Sequence, residues 1–189
     1  WLHEPFGIPP QLVSIRGAAL EVRPWPKPNQ PLKKPTVVTG FKAGPATAAS
    51  MRAGRRCTHG SMSFRRAVDG LQKPYVLAIA PNRSLAIALP PHAGKLLGCS
   101  SKAVVVVLKD PKKKTPKLLR CDLSGKCTAS SNAPFVPWGG EYKRRMWAVP
   151  TNQGVVAAMQ LTAGSRWGSY ISYSLDGGKR FETVAPGDV

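Results

Sequence analysis

The chain has 189 residues, and 28 lysines and arginines against nine aspartates and glutamates give it a net charge of +19. Hydrophobic residues make up 42% of the sequence, which excludes a chain that is disordered by composition. The longest apolar run, Ala103 to Leu108, is far shorter than the roughly 20 residues of a membrane-spanning helix, so no membrane span is predicted. The positive charge favours an anionic partner but carries no information about the fold.

Short runs rich in β-branched and aromatic residues recur along the chain and predict strands, because turn residues separate them. In chain order they are TVVTGF (36–41), YVLAIA (75–80), SLAIAL (84–89), AVVVVLK (103–109), KLLRC (117–121), RMWAV (145–149), GVVAAMQL (154–161) and SYISYS (169–174). No convincing segment carries apolar residues at helical spacing over three turns. The sequence therefore predicts an all-β protein, folded as a single β domain over residues 1–189.

Glycines between strand-like runs recur at intervals of 53 to 55 residues, at Gly17, Gly70, Gly125 and Gly178. The segments before the last two share a longer order: strand, break, strand, break, strand, turn. This is the order of one blade of a β-propeller. The spacing predicts propeller-like antiparallel blades in about three and a half repeats, with quasi-repeats at 1–30, 31–80, 81–133 and 134–189.

The last of these turns, SLDGGKRF (174–181), resembles the Asp-box turn of sialidase-like and related β-propellers. In that family the turn joins the third and fourth strands of a blade, usually on the side away from the ligand site. The resemblance implies that Ser174 and Asp176 satisfy backbone groups of the turn, that Gly178 lies within it and that Phe181 packs inward. It implies a blade and does not imply sialidase activity.

The preceding turn, CDLSGKCT (121–128), keeps only Gly125 and Lys126 in register with this pattern. It has Leu123 at the position of the aspartate. At this repeat length the chain holds fewer blades than a closed propeller needs, so we expect a partial propeller. Exposed strand edges invite pairing with another chain, and we therefore expect a homodimer that covers them.

The four cysteines allow two interpretations. Cys121 and Cys127 flank the Gly125 turn and would face each other across a hairpin, where a disulfide is plausible; Cys57 and Cys99 would then form a second pair. Paired cysteines would indicate an oxidising compartment. The alternative is four free thiols in a cytosolic protein.

The acids predict no catalytic centre. Several of them adjoin Gly or Pro, as in Asp69-Gly70 and Asp110-Pro111, where turn chemistry explains an acidic residue. No nucleophile elbow, phosphate-binding loop or zinc-protease helix motif occurs. We predict that the protein is not an enzyme and that it uses no metal and no cofactor.

The richest cluster for a ligand is PWGGEYKRRMW (137–147), which interleaves aromatic and cationic residues. Aromatic faces beside guanidinium groups suit both nucleic-acid bases and polypeptide side chains. The basic pairs in RAGRRC (52–57) and FRR (64–66) extend this chemistry. The competing interpretation is that the two tryptophans of the cluster are packing residues. The predicted ligand-binding residues are Trp138, Tyr142, Lys143, Arg144, Arg145, Trp147, Arg55, Arg56, Arg65 and Arg66.

These features predict a non-catalytic binding protein that presents an acidic peptide or protein segment, as an accessory protein in a peptide-maturation (natural-product) pathway. An exposed strand edge would hold such a segment by β-augmentation. The first alternative is a non-specific nucleic-acid-binding protein, since the charge would give strong salt-dependent binding. The second is a secreted binding domain of a larger propeller. A cytoplasmic location is preferred, with a secreted or periplasmic one if the cysteines are paired.

Overall fold

A computed structural model describes most of the chain. The described residues are 11–16, 19–24, 28–41, 56–69, 71–81, 83–109, 116–134, 143–151, 154, 156–163 and 168–184. They contain strands, bridges and turns but no helix, which confirms the all-β prediction. The chain divides into two compact units, residues 1–88 and 89–189, and each is described by itself.

The first unit contains two antiparallel sheets. Sheet A is formed by β1 (Gln11–Arg16), β2 (Ala19–Pro24) and β3 (Thr36–Val37), in the order β1-β2-β3. Sheet B is formed by β4 (Cys57–His59), β5 (Met62–Val68), β6 (Pro74–Ile79) and β7 (Ser84–Ala88), in the order β4-β5-β6-β7.

A hydrophobic core joins the two sheets of this unit. Its members are Leu20, Val22, Val38, Phe41, Ala67, Tyr75, Leu77 and Ile79. The backbone of Thr39, which follows Val38, also joins the two sheets. Thr39 forms a parallel bridge with Leu85, and its carbonyl accepts a 2.8 Å hydrogen bond from the amide of Ala86. The β7 edge of sheet B is therefore covered at this point by the chain that follows β3.

The second unit contains two further antiparallel sheets, each with neighbouring strands consecutive in the chain. Sheet C is formed by β8 (Ala93–Cys99), β9 (Ala103–Leu108), β10 (Lys117–Asp122) and β11 (Cys127–Ala129). Sheet D is formed by β12 (Lys143–Pro150), β13 (Val156–Ala163), β14 (Gly168–Ser174) and β15 (Glu182–Val184). The two sheets thus share one strand order, with a short fourth strand after a turn.

Sheets C and D pack against each other through a second hydrophobic core. Sheet C contributes Leu97, Val105, Val107 and Leu118, while β12, β13 and the turn before β15 contribute Met146, Ala148, Val156, Ala158 and Phe181. The approach is closest between β8 and β12. A Cβ atom added at Gly98 would lie only 1.6 Å from the carbonyl oxygen of Ala148. The packing of these two strands therefore requires glycine at position 98.

Candidate binding surface

The turn between β14 and β15 is built by the side chains of Ser174 and Asp176. The Ser174 hydroxyl donates to Asp176 Oδ1 at 2.6 Å and accepts from the amide of Gly178 at 2.9 Å. Asp176 Oδ1 also accepts from the amides of Lys179 and Arg180, at 3.0 and 3.1 Å. These bonds hold the pKa of the Asp176 carboxyl below its ordinary value, and the bond from the Ser174 hydroxyl has the largest effect. The carboxylate therefore acts as a backbone acceptor within the turn.

Gly178 and Phe181 complete this turn. Gly178 has a φ of 89° and is buried, with the place of a Cβ lying 3.4 Å from Val156 Cγ2 and 3.6 Å from Arg120 Cβ. A left-handed backbone in such a tight place favours glycine. Phe181 is 3% exposed and belongs to the core between sheets C and D.

Two other aspartates build turns of a second kind, one in each unit. Asp69 Oδ1 accepts from the amides of Leu71 and Lys73 at 2.9 and 2.8 Å. Asp122 Oδ1 accepts from the amides of Ser124 and Lys126 at 2.9 and 3.0 Å. In both turns the aspartate amide donates to the carbonyl four residues on, and its carbonyl accepts from the amide three residues on.

The sequence alignment of the last two turns missed this role of Asp122. Aligning Gly125 with Gly178 places Leu123, not Asp122, opposite Asp176. The structure shows that the acidic residue one position earlier bonds the turn amides, because this turn closes by a different hydrogen-bond pattern. The Ser124 hydroxyl also donates to Asp122 at 2.6 Å, and this bond is the largest cause of the lowered pKa of Asp122. The sequence signal for this role was the serine two residues after the aspartate, Ser124 after Asp122.

The cysteines are all disulfide-bonded in this structure. Cys121 and Cys127 are direct cross-strand partners of β10 and β11 and are joined by a disulfide across the Asp122 turn. The alternative of four free thiols is therefore not what the structure contains, and the pairing fits an extracellular location.

The aromatic and basic cluster lies only partly within the described residues. Trp138 and Tyr142 are outside them. Lys143, Arg144 and Arg145 open β12, which stands at one end of the strand order of sheet D, and they pair with 161–163 of β13.

Trp147 follows on the same strand and is half-buried. It alternates with Met146 and Ala148, which belong to the core between sheets C and D, so it lies on the opposite face of the sheet. Trp147 is therefore not a member of the core between sheets C and D.

Arg56, Arg65 and Arg66 lie in the first unit. Arg55 is outside the described residues. Arg65 and Arg66 are consecutive in β5, so their side chains leave opposite faces of sheet B. Arg56 precedes β4, whose first residue, Cys57, pairs with Phe64. All three arginines are partly buried. The structure thus sends Arg65 and Arg66 to opposite faces of sheet B.

The described carboxylates all have partners within the chain. Asp69, Asp122 and Asp176 hold turns, as shown above. Glu21 forms an ion pair with Arg23 at 3.5 Å, and Glu182 accepts from the Tyr173 hydroxyl at 2.7 Å. Exposed cations remain on the surface of both units, among them Lys33, Lys34, Arg83, Lys95, Lys102, Lys109, Lys126, Lys179 and Arg180. The electrostatics of the described surface are therefore dominated by positive charge.

The described residues contain no group of three or more histidine, cysteine, aspartate and glutamate side chains arranged to hold a metal ion. They also include no helix long and apolar enough to cross a membrane.

Fold and surface together define a strongly basic, all-β protein with aspartate-built turns. Searches against protein-family models, curated proteins and solved structures return no match for this chain.

Proposed function

We propose that this protein is a non-catalytic binding protein that holds an acidic peptide or protein segment. The observation that carries the proposal is the imbalance of charge: +19 overall, with each of the five described carboxylates occupied by a turn, an ion pair or a hydrogen bond. Those acids support the fold, and so the surplus cations attract anions from outside the chain.

The binding site in this proposal is the start of β12 with its three consecutive cations, Lys143, Arg144 and Arg145. An extended acidic segment running along an end strand of a sheet would place carboxylates near such cations while its backbone follows the strand. Charge-assisted hydrogen bonds from arginine to carboxylate are short and directional, which favours this partner over a diffuse anion.

Under this proposal sheets C and D are propeller-like blades of the Asp-box kind. The support is the position of the Asp176 turn, which joins the third and fourth strands of sheet D, and of the Asp122 turn at the same place in sheet C. Under the same proposal the protein works in an oxidising compartment, which disulfide-bonded cysteines favour, and thiol titration of the unfolded, unreduced protein should then find no free thiol.

The test is a titration by fluorescence anisotropy with a labelled oligoglutamate peptide and, separately, a labelled oligothymidylate. Each is run at roughly 50 and 200 mM salt, because contacts to phosphates are lost steeply over this range. We expect saturable oligoglutamate binding at both concentrations. Tighter binding of oligothymidylate with a steep salt slope would replace the proposal with nucleic-acid binding, the function that the same charge would also support.

A matched pair of variants locates the site. The first replaces Lys143, Arg144 and Arg145 by Gln. The second replaces Lys95, Lys102 and Lys109 by Gln; these are exposed cations in β8 and at the two ends of β9. Both lower the net charge by the same amount. We expect the first variant to bind oligoglutamate at least about tenfold more weakly, or about 1.4 kcal/mol, and the second to change little. Equal losses in both variants would show that the overall field, not β12, binds the peptide.

A further inference from the structure

We propose that Arg120 and its neighbours form a binding site for an oxyanion, namely a phosphate or carboxylate group of a ligand. The site lies where β10 and β11 of sheet C meet the Asp176 turn of sheet D. Its cations are Arg120 and Lys179, and Thr128 lies directly opposite Arg120 on β11. This inference goes beyond the proposed function, because it would hold for a chain that binds no acidic peptide.

The stem of Arg120 is packed against the Asp176 turn. Arg120 shares a face of β10 with Leu118, which belongs to the core between sheets C and D. Its Cβ and Cδ atoms lie 3.6 and 3.8 Å from the place of a Cβ on Gly178. The glycine therefore leaves room for the arginine stem, and this packing limits the positions that the guanidinium group can take.

One nitrogen of this guanidinium is buried without a partner. Among the described residues, none accepts a hydrogen bond from Arg120 Nε, although the residue as a whole is only half-buried. Burying an N–H group without an acceptor is unfavourable, and more so when the group is charged. An acceptor from outside the chain that reaches Nε would remove this cost.

The acid on the same face of β10 is engaged in its own turn. Asp122 Oδ1 accepts from the amides of Ser124 and Lys126 and from the Ser124 hydroxyl. The bond from that hydroxyl is the largest cause of the lowered pKa of Asp122, and the charge of Arg120 contributes least. The carboxylate therefore supports the turn, and Arg120 forms no ion pair with a carboxylate among the described residues.

Two neighbours of Arg120 suit an anionic ligand. Thr128 is its cross-strand partner, so the two side chains leave the sheet side by side, and a threonine hydroxyl can donate a hydrogen bond. Lys179 is exposed and follows Gly178. Its carbonyl accepts from the amide and the hydroxyl of Ser131 at 2.6 and 3.0 Å, which ties the Asp176 turn to the segment after β11. A hydroxyl beside the guanidinium and a second cation on the adjoining turn thus favour an anion.

The guanidinium group also sets the class of the anion. Nε and one terminal nitrogen of an arginine donate in parallel, and a phosphate or carboxylate group accepts both bonds with two of its oxygens. A chloride ion offers a single acceptor atom. The Arg120 site therefore fits an anion with two oxygens better than a monatomic one.

The first test is NMR spectroscopy of the ¹⁵N-labelled full chain, titrated with sodium phosphate and, separately, with sodium acetate. Sodium chloride at equal ionic strength is the reference. The Arg120 Nε–H signal is identified by its absence from the spectrum of Arg120→Lys. We expect a saturable shift of this signal with phosphate, with acetate or with both, and little shift with chloride. A response to phosphate alone would assign the site to a phosphate group, and a response to acetate alone would assign it to a carboxylate.

The second test is thermal unfolding in the anion that shifts the signal. Arg120→Gln is compared with Arg83→Gln, which removes the same charge from an exposed arginine of the first unit. A ligand that binds only the folded chain raises its melting temperature. We expect the anion to raise the melting temperature of wild type and of Arg83→Gln, and to bind Arg120→Gln at least about tenfold more weakly.

Three outcomes would overturn the proposal. One is the lack of a saturable shift of the Arg120 signal with either anion, and another is a shift that chloride reproduces. The third is equal stabilisation of both variants by the anion, which would show general screening of a chain at +19. If Arg120→Gln does not fold, Thr128→Val repeats the comparison, with binding expected to weaken at least about threefold. Unchanged binding in Thr128→Val would then contradict the site.

Discussion

The side-chain amide of Asn132 pairs with both backbone groups of Phe181, a residue 49 positions later. Its Nδ2 donates to the Phe181 carbonyl at 2.7 Å, and its Oδ1 accepts from the Phe181 amide at 2.9 Å. Asn132 follows the last strand of sheet C, and Phe181 follows the Asp176 turn of sheet D and enters the core between the sheets. This amide therefore fixes the position of one sheet's turn relative to the other sheet.

Replacing Asn132 by Ala should lower the free energy of unfolding by about 2 kcal/mol. The substitution leaves a partly buried backbone N–H and C=O without their partners, and such unpaired groups cost more than a hydrogen bond contributes. The control is Ser131→Ala, since the Ser131 hydroxyl makes a single, exposed bond to the Lys179 carbonyl. Urea unfolding monitored by tryptophan fluorescence should separate the two variants; equal losses would contradict the role given to Asn132.

Glycine at position 98 is a steric requirement of the contact between β8 and β12. Gly98→Ala should destabilise the protein by about 3 kcal/mol, because its Cβ would overlap the Ala148 carbonyl and the strands would have to separate. Gly94→Ala in the same strand is the matched control, since its Cβ would lie no closer than 3.4 Å to any neighbour. Thermal unfolding followed by circular dichroism measures both. A Gly98→Ala protein that melts with wild type would show that β8 and β12 are farther apart than described.

The turns at Asp69 and Asp122 have the same hydrogen-bond pattern but different burial. Asp69 is 3% exposed and also lies 3.4 Å from the Tyr75 hydroxyl, whereas the Asp122 bonds are exposed to solvent. We expect Asp69→Ala to cost about 2 to 3 kcal/mol and Asp122→Ala about 1 kcal/mol, because water replaces the lost acceptor only at the exposed turn. Urea midpoints give the comparison. The reverse order would mean that burial does not set the strength of this turn.

Acid should weaken the protein through Asp122 and Asp176. Hydrogen bonds, those from the Ser124 and Ser174 hydroxyls foremost, lower the pKa of these carboxyls below their ordinary value of 3.8 in the folded state. The folded chain then binds fewer protons than the unfolded chain in this range, so the stabilisation is present above the ordinary pKa and is lost as the pH falls through the folded one.

The pKa of Asp176 can be measured directly by carboxyl NMR. We expect a value below 3.8 in wild type and a return toward it in Ser174→Ala, which removes the largest cause of the shift. Ser131→Ala, which leaves every Asp176 bond in place, is the control. Titration of Asp176 at or above its ordinary value in wild type would contradict the turn geometry.

The sequence predicted the strands well where local chemistry decides them. Each of its eight predicted strands overlaps a strand of the structure, since β-branched runs bounded by turn residues fit a pleated sheet and little else. The eight runs do not include β4, β11 and β15, of three residues each, because strands so short carry no alternation to detect. They also do not include the longer strands β1, β2, β5 and β8. The sequence also did not predict that Asp122 bonds the turn amides. This role depends on how the turn closes, and Asp122 is one residue out of register with Asp176 when the two turns are aligned.

The sequence by itself determined the fold class, the strong positive charge and the local chemistry of the Asp176 turn, since these depend on composition and on neighbours in the chain. Only the tertiary structure decided which residues meet. It joined Asn132 to Phe181, brought Gly98 against the Ala148 carbonyl and left Ile171 exposed while Leu118 is buried. These relationships depend on strand register and sheet stacking, which are set by contacts between residues far apart in the chain.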